Sequence, residues 1–139
     1  NVPVTVLPAG SQERAAWFKR ADVALAASGT VSLELAASGT PMVIAYDMAW
    51  LSRIIISRLL MVDTVTLVNL VSETRVVPEF IGKNCESGPI AQAVLDVLAD
   101  PLSQQAAMRL TMERLGQGGE DPGLRAARAV LDRLPNTPV

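Results

Sequence analysis

The sequence contains no histidine and only one cysteine, Cys85. Without histidine, the chain cannot form a serine–histidine–aspartate triad or a histidine-ligated metal site. One cysteine cannot form an intramolecular disulfide, so the cysteine content is compatible with a protein of a reducing compartment. We interpret Cys85 as a structural thiol, because free cysteines are often buried. We therefore predict no metal and no cofactor within this chain.

Charged and long apolar segments are scarce as well. Only 19% of the 139 residues are charged, the net charge is −2, and no basic stripe is visible, so a nucleic-acid partner is not expected. No uncharged run is longer than twelve residues, the length of residues 35–46, whereas a membrane-spanning helix needs roughly 20. Half of the residues are apolar, which is enough for the core of one domain.

Short apolar runs alternate with helical segments along the first half of the chain. The predicted strands are 2–8, 22–28, 41–46 and 64–71; the predicted helices are 11–21, 29–38 and 50–60; a helical turn is predicted at 76–82. Three helices follow, on the apolar positions Ile90, Val94, Val97 and Leu98, then Met108, Met112 and Leu115, then Leu124, Ala127, Leu131 and Leu134. This order predicts an α/β, Rossmann-like three-layer domain with a mostly parallel sheet and a helical C-terminal end packed on its outside.

The tetrapeptide Ala-Ser-Gly-Thr occurs twice, at 27–30 and 37–40. The first copy lies where a strand ends and a helix begins, so Ser28 or Thr30 can cap the helix while Gly29 lets the backbone turn. The free N–H groups of such a helix start are suited to a phosphate. Glu34 lies one helical turn further on and can accept hydrogen bonds from ribose hydroxyls. By local physics alone, a plain capped turn is an equal alternative.

The second copy is predicted to do the opposite. Gly39 suits the left-handed position that ends a helix, and Pro41 prevents the helix from continuing. The two copies are therefore not a functional repeat.

Several blocks together resemble the lipid-A-disaccharide synthases. They are "ASGTVSLE", "PMVIAY", "WLSRIIISRLL", "TLVNLV" and "VVPEF", similar in order and spacing over roughly residues 22–85. The Ser-Gly-Thr…Glu block is shared more widely among glycosyltransferases of the GT-B fold, and "VNLV…VVPEF" narrows the resemblance to this family.

The resemblance implies a protein of two Rossmann-like domains with the active site between them. Residues 1–139 would be the C-terminal domain that binds the UDP-sugar donor, and the N-terminal acceptor domain would be absent from this chain. The implied reaction transfers 2,3-diacylglucosamine from UDP-2,3-diacylglucosamine to 2,3-diacylglucosamine 1-phosphate. Its products are a β-1,6-linked disaccharide 1-phosphate and UDP. The class requires no metal, and the essential carboxylate lies in the N-terminal domain, so Glu79 is not assigned as a general base.

By the same resemblance, Ser28, Gly29 and Thr30 approach the donor diphosphate and Glu34 holds the ribose. Asn69, expected at the end of a strand, lines the donor pocket. Arg75 either replaces a family arginine from one position along or is a surface residue.

The sequence departs from the family pattern at three places. Val68 stands where the family has proline, Thr74-Arg75 where it has Arg-Glu, and Gly82 where it has glutamine. These departures concern the details of the donor site.

The resemblance implies a cytoplasmic enzyme of a Gram-negative bacterium, and its acylated substrates make a peripheral position on the inner membrane an expectation. The segment 50–60, interrupted by Arg53 and Arg58, either lies near lipid or is a buried helix whose arginine heads reach water. The alternative functions are the donor domain of another UDP-sugar GT-B enzyme, of the peptidoglycan-lipid or epimerase type, and a non-catalytic nucleotide-binding or assembly domain.

Overall fold

The computed structural model describes residues 2–27, 29–47 and 63–133. Within these ranges the elements, numbered in chain order, are α1 (Arg14–Arg20), β1 (Ala24–Ala26), α2 (Val31–Ser38), β2 (Met42–Tyr46), α3 (Leu67–Ser72), β3 (Glu79–Ile81), a 3-10 turn (Gly82–Asn84), α4 (Ser87–Ala99), α5 (Leu102–Arg114) and α6 (Pro122–Leu131). The helix predicted at 50–60 lies outside the described residues.

The described strands form one parallel sheet in the order β1-β2-β3. One row of the register runs from Ala26 through Ile44 to Glu79. The N–H of Ala24 donates to the carbonyl of Pro41 at 2.8 Å, and the N–H of Ile44 donates to that of Pro78 at 2.9 Å. The predicted α/β class with a parallel sheet is confirmed.

The core lies between β2 and the helices α2, α3 and α5. Its buried members are Leu35, Ala36, Met42, Ile44, Val68, Val77, Ala107 and Met108. Burying one large aliphatic side chain stabilises a fold by roughly 1.5–3 kcal/mol, so this cluster accounts for much of what holds the sheet and helices together.

Two predicted strands are wrong. Residues 2–8 form no strand, and Val2, Val4 and Val6 are exposed, because no described strand pairs with them. Most of the segment 64–71 belongs to α3 instead, and the buried residues of this helix, Val68, Asn69 and Ser72, follow helical spacing.

The helical turn predicted at 76–82 is wrong as well, since this segment supplies β3. The segment is a strand because it pairs with β2. The carbonyl of Pro78 accepts from the N–H of Ile44, and residues 79–81 pair with the rest of β2. Strand β1 is not buried on both faces, although its run is short and apolar, because Leu25 is exposed.

The three C-terminal helices are confirmed, and α4 ends at Ala99, directly before Asp100-Pro101. Helix α4 contacts β2, and α5 contacts α2 and α3. The expectation that all three pack on the sheet is wrong for α6, whose side chains from 123 to 131 are exposed. Cys85 is half-buried. Across the described ranges, no helix has both the length and the apolar character needed to cross a bilayer.

Candidate functional site

The second Ala-Ser-Gly-Thr copy ends α2, as predicted. Gly39 adopts the left-handed conformation with φ 73°, which glycine reaches at little cost. Its N–H donates to the carbonyl of Ala36, and the N–H of Thr40 donates to that of Leu35. The last carbonyls of the helix are thereby satisfied, and Pro41 follows directly into β2.

The first copy joins the carboxyl end of β1 to the start of α2. Gly29 has φ 127°, in the region that favours glycine, and a side chain placed there would meet no protein atom within 4 Å. Thr30 stands at the N-cap position but its hydroxyl makes no capping bond, so that part of the capping prediction is wrong. Ser32, in the first turn of α2, does not cap the helix either: its hydroxyl donates to the carbonyl of Gly29 at 2.8 Å. Ser28 lies outside the described residues.

This turn is open at its surface, and its phosphate-binding role stays a prediction. Gly29 and Thr30 are exposed, at the sheet edge where α/β proteins bind ligands. The first N–H groups of a helix have no partner within the helix and carry the positive end of its dipole. The hydroxyl of Thr30, which makes no hydrogen bond among the described residues, adds a donor beside the positive end of the helix.

Glu34 lies on the first turn of α2, next to this turn. Its Oε2 lies 2.7 Å from Nη2 of Arg14 on α1, and the side chain of Glu34 is 40% exposed. No hydrogen bond to Oε1 is formed within the described ranges. One carboxylate oxygen is thus held, and the other is open to a hydroxyl group.

Asn69 lies within α3, not at the end of a strand, and is fully buried. Its amide closes a ring with Val77: Oδ1 accepts from the N–H at 3.0 Å and Nδ2 donates to the carbonyl at 2.9 Å. Nδ2 also lies 3.3 Å from Oε1 of Glu79. In this structure Asn69 ties α3 to the segment that leads into β3, and its contact with the donor stays a prediction.

Arg75 pairs with Asp63 at the surface. Its Nε donates to Oδ2 of Asp63 at 3.2 Å, and its Nη2 forms an ion pair with Oδ1. Hydrogen bonding to Arg75 lowers the pKa of Asp63 below its usual value. A role for Arg75 at the donor likewise stays a prediction.

Glu79 is a prominent polar centre that sequence reasoning missed. Its carboxylate accepts from the hydroxyl of Thr64 at 2.6 Å, the N–H of Thr66 at 2.8 Å and the N–H of Val65 at 3.2 Å. Burial acts to raise the pKa of Glu79, but the hydrogen bonds from Thr64, Thr66 and Val65 outweigh it and lower the pKa. The carboxylate is therefore ionised at neutral pH and most of its acceptor capacity is used.

The predicted residues thus fall into separate groups. Gly29, Thr30 and Glu34 come together on one turn, Asn69 joins Glu79, and Arg75 joins Asp63. Glu79 lies two strands across the sheet from Ala26, in the same row of the register. At about 4.8 Å per strand, these two backbone positions are roughly 10 Å apart.

A family model described as lipid-A-disaccharide synthetase matches residues 3–130. The chain is 63% identical over 141 residues to the lipid-A-disaccharide synthase of Ruegeria pomeroyi, covering 97% of this chain and 35% of that protein. It is 44% identical to the enzyme of that name from Paramagnetospirillum magneticum, covering 83% of this chain and 31% of that protein. For Rhodopseudomonas palustris the identity is 41%, covering 91% and 33%. The chain spans about a third of the length of these relatives.

Proposed function

Because the chain belongs to the lipid-A-disaccharide synthetase family, we propose that residues 1–139 are the C-terminal, donor-binding domain of a glycosyltransferase of lipid A biosynthesis. The complete enzyme transfers 2,3-diacylglucosamine from UDP-2,3-diacylglucosamine to 2,3-diacylglucosamine 1-phosphate. The products are the β-1,6-linked disaccharide 1-phosphate and UDP. The acceptor and the general base belong to a separate N-terminal domain.

The observation that carries this proposal is the exposed turn between β1 and α2. The diphosphate of the donor binds to the N–H groups at Gly29 and Thr30 and to the hydroxyl of Thr30. As the glycosidic bond to the diphosphate breaks, negative charge grows on the leaving oxygen. Donors already oriented at a helix N-terminus stabilise that charge without reorganising.

Glu34 supplies the uridine side of donor recognition. Its free Oε1 accepts a hydrogen bond from a ribose hydroxyl, which a carboxylate accepts more strongly than a neutral group does. Ser28 belongs to the same site by its position in the turn.

We retain Asn69 and Arg75 as proposed donor-site residues. To reach a ligand, Arg75 has to leave Asp63, and Asn69 has to exchange its bonds to Val77. Exposed ion pairs contribute only about 0–1 kcal/mol, so the first exchange is inexpensive. Asn69 is buried and doubly bonded, which makes the second exchange costly.

The alternative functions share the turn but not the family match. Another UDP-sugar transferase would use the same phosphate site with a different acceptor, and a non-catalytic module would bind nucleotide without turnover. The relatives that match carry the lipid A name, which favours the first function. We propose a cytoplasmic enzyme, peripheral on the inner membrane, because both substrates are acylated.

The test is an assay of the complete enzyme, with these 139 residues joined to the acceptor domain. Purified enzyme is incubated with both acylated substrates, and the disaccharide 1-phosphate and UDP are quantified by mass spectrometry. We expect equal amounts of the two products. Release of UDP without disaccharide, or turnover only with a different acceptor, would contradict the proposal.

A further inference from the structure

The ion pair between Arg14 and Glu34 joins the first helix to the proposed donor site. The two side chains are 52% and 40% exposed, and such surface pairs contribute about 0–1 kcal/mol to stability. The pair is therefore a poor device for holding α1 against α2. Stability does not explain why an arginine is held at this carboxylate.

In the proposed function, the carboxylate of Glu34 lies close to a negatively charged ligand. Glu34 lies four residues beyond Thr30, about 6 Å further along the axis of α2. A carboxylate at that distance repels a diphosphate bound at the turn, and it opposes the positive end of the helix dipole. A cation paired with the carboxylate reduces that repulsion.

We propose that Arg14 is a positioning residue of the donor site. It holds Oε2 of Glu34, so that Oε1 is presented to the ribose hydroxyl, and it neutralises the carboxylate, so that the diphosphate binds beside it. This inference rests on the proposed function. It adds a residue of α1, a helix that contains none of the other proposed donor-site residues.

The surroundings of Arg14 fix it in place for this task. Its guanidinium lies over the ring of Phe18, with Cζ 5.9 Å from the ring centre. Phe18 packs against the core, and its carbonyl accepts from the hydroxyl of Thr40 at 2.6 Å. Helix α1 is thereby attached to the far end of α2, and Arg14 is held between an aromatic face and a carboxylate.

The experiment is isothermal titration of the complete enzyme with three probes: UDP, uridine and pyrophosphate. The variants are Arg14→Gln, Arg14→Lys, Glu34→Gln and the double variant Arg14→Gln/Glu34→Gln. Arg20→Gln is the matched control, since Arg20 lies on the same helix and stacks on Trp17 at 5.3 Å. Circular dichroism and thermal melts establish that each variant is folded.

We expect Arg14→Gln to weaken UDP and pyrophosphate about tenfold, while Arg14→Lys, which keeps the charge, stays within about threefold of wild type. Pyrophosphate binding should recover in the double variant, because no carboxylate is left to neutralise. For uridine, loss of Arg14 should have no effect once Glu34 is replaced, a non-additivity that marks residues acting as one unit.

Two outcomes overturn the inference: Arg14→Gln behaving like Arg20→Gln, or pyrophosphate failing to recover in the double variant, which would mean that Arg14 acts on phosphate by itself. Failure of the wild-type enzyme to bind UDP would instead contradict the proposed function. The two failures are thus distinguishable.

Discussion

At the scale of single residues, Glu79 does more for the architecture than its position suggests. Its carboxylate accepts hydrogen bonds from residues 64–66, just before α3, and so attaches them to the start of β3. Nearby, the hydroxyl of Thr66 is buried and has no hydrogen-bond partner among the described residues. Because the carboxylate accepts from three donors, the attachment depends on Glu79 remaining ionised.

We predict that Glu79→Gln destabilises the protein in a pH-dependent way. The pKa of Glu79 is lower in the folded chain, so its stabilisation is complete above the ordinary glutamate value and is lost as the pH falls through the lowered one. At pH 7 the loss should be roughly 1.5–3 kcal/mol. The difference from wild type should shrink below about pH 4.3.

The measurement is urea unfolding of both proteins between pH 3 and pH 8. Other carboxylates, such as Asp63, are common to both and cancel. If the difference in unfolding free energy between wild type and variant stays constant with pH, the ionised Glu79 carboxylate does not stabilise the fold in this way.

Glu34→Ala should weaken UDP more than it weakens pyrophosphate. The carboxylate accepts from ribose hydroxyls and offers no donor to phosphate, so only the nucleoside part of the ligand loses a partner. A hydrogen bond to a charged acceptor typically contributes roughly 1.5–3 kcal/mol. Amide NMR shifts of residues 29–34 during titration report the effect, and equal shifts by UDP in wild type and variant would refute the ribose role.

Gly29→Val should weaken UDP and pyrophosphate alike. The protein leaves the space open, so the cause is not a clash within the fold but the φ of 127°, strained for a branched residue by roughly 1–3 kcal/mol, and the loss of close approach by the phosphates. Gly88→Val is the control, because Gly88 also has open space and does not need a positive φ. Affinities measured by calorimetry should fall for Gly29→Val only.

At the scale of elements, local chemistry predicted some structure and distant partners decided the rest. Strand β2 follows from an apolar run, and the end of α2 follows from a left-handed glycine, Gly39, and from Pro41. All of these signals lie within a few residues of each other. The alternating stretch before Asn69 is typical of a strand. In the structure, Glu79 instead binds its first residues, and the residues that follow form a helix with one buried face. A side chain that accepts backbone N–H groups thirteen residues away leaves no local pattern in a sequence.

The same limit applied to the candidate site. Gly29, Thr30 and Glu34 were predictable as a group because one turn of chain contains them. Arg14 was not, since its contact with Glu34 depends on how α1 packs against α2.

Helix α5 is attached to the sheet by Gln104, and we predict that Gln104→Ala is strongly destabilising. The buried amide accepts from the N–H of Met42 at 2.9 Å and donates to its carbonyl at 3.0 Å. Each backbone group left unsatisfied costs roughly 1–3 kcal/mol. The neighbouring Gln105→Ala, at a half-buried position, should cost far less in chemical denaturation. Similar losses for both variants would contradict this role.

At the scale of the whole molecule, a chain about a third as long as its relatives bears the proposed donor site and has no assigned base. We predict that the isolated 139-residue chain forms no disaccharide from the two acylated substrates, and that it binds UDP only weakly, with a dissociation constant near 1 mM, about −4 kcal/mol. Mass spectrometry of the reaction and an NMR titration measure the two quantities. Disaccharide formed by the isolated chain would show that the base lies within it.

The bond between Gln104 and Met42 also bears on how the chain is made. Met42 is translated 62 residues before the amide that satisfies its backbone. At 5–20 residues per second, the ribosome needs roughly 3 to 12 seconds to cover that distance. During this interval the central strand is apolar, complete in sequence and unpaired at Met42, a nascent segment suited to chaperone binding until α5 emerges.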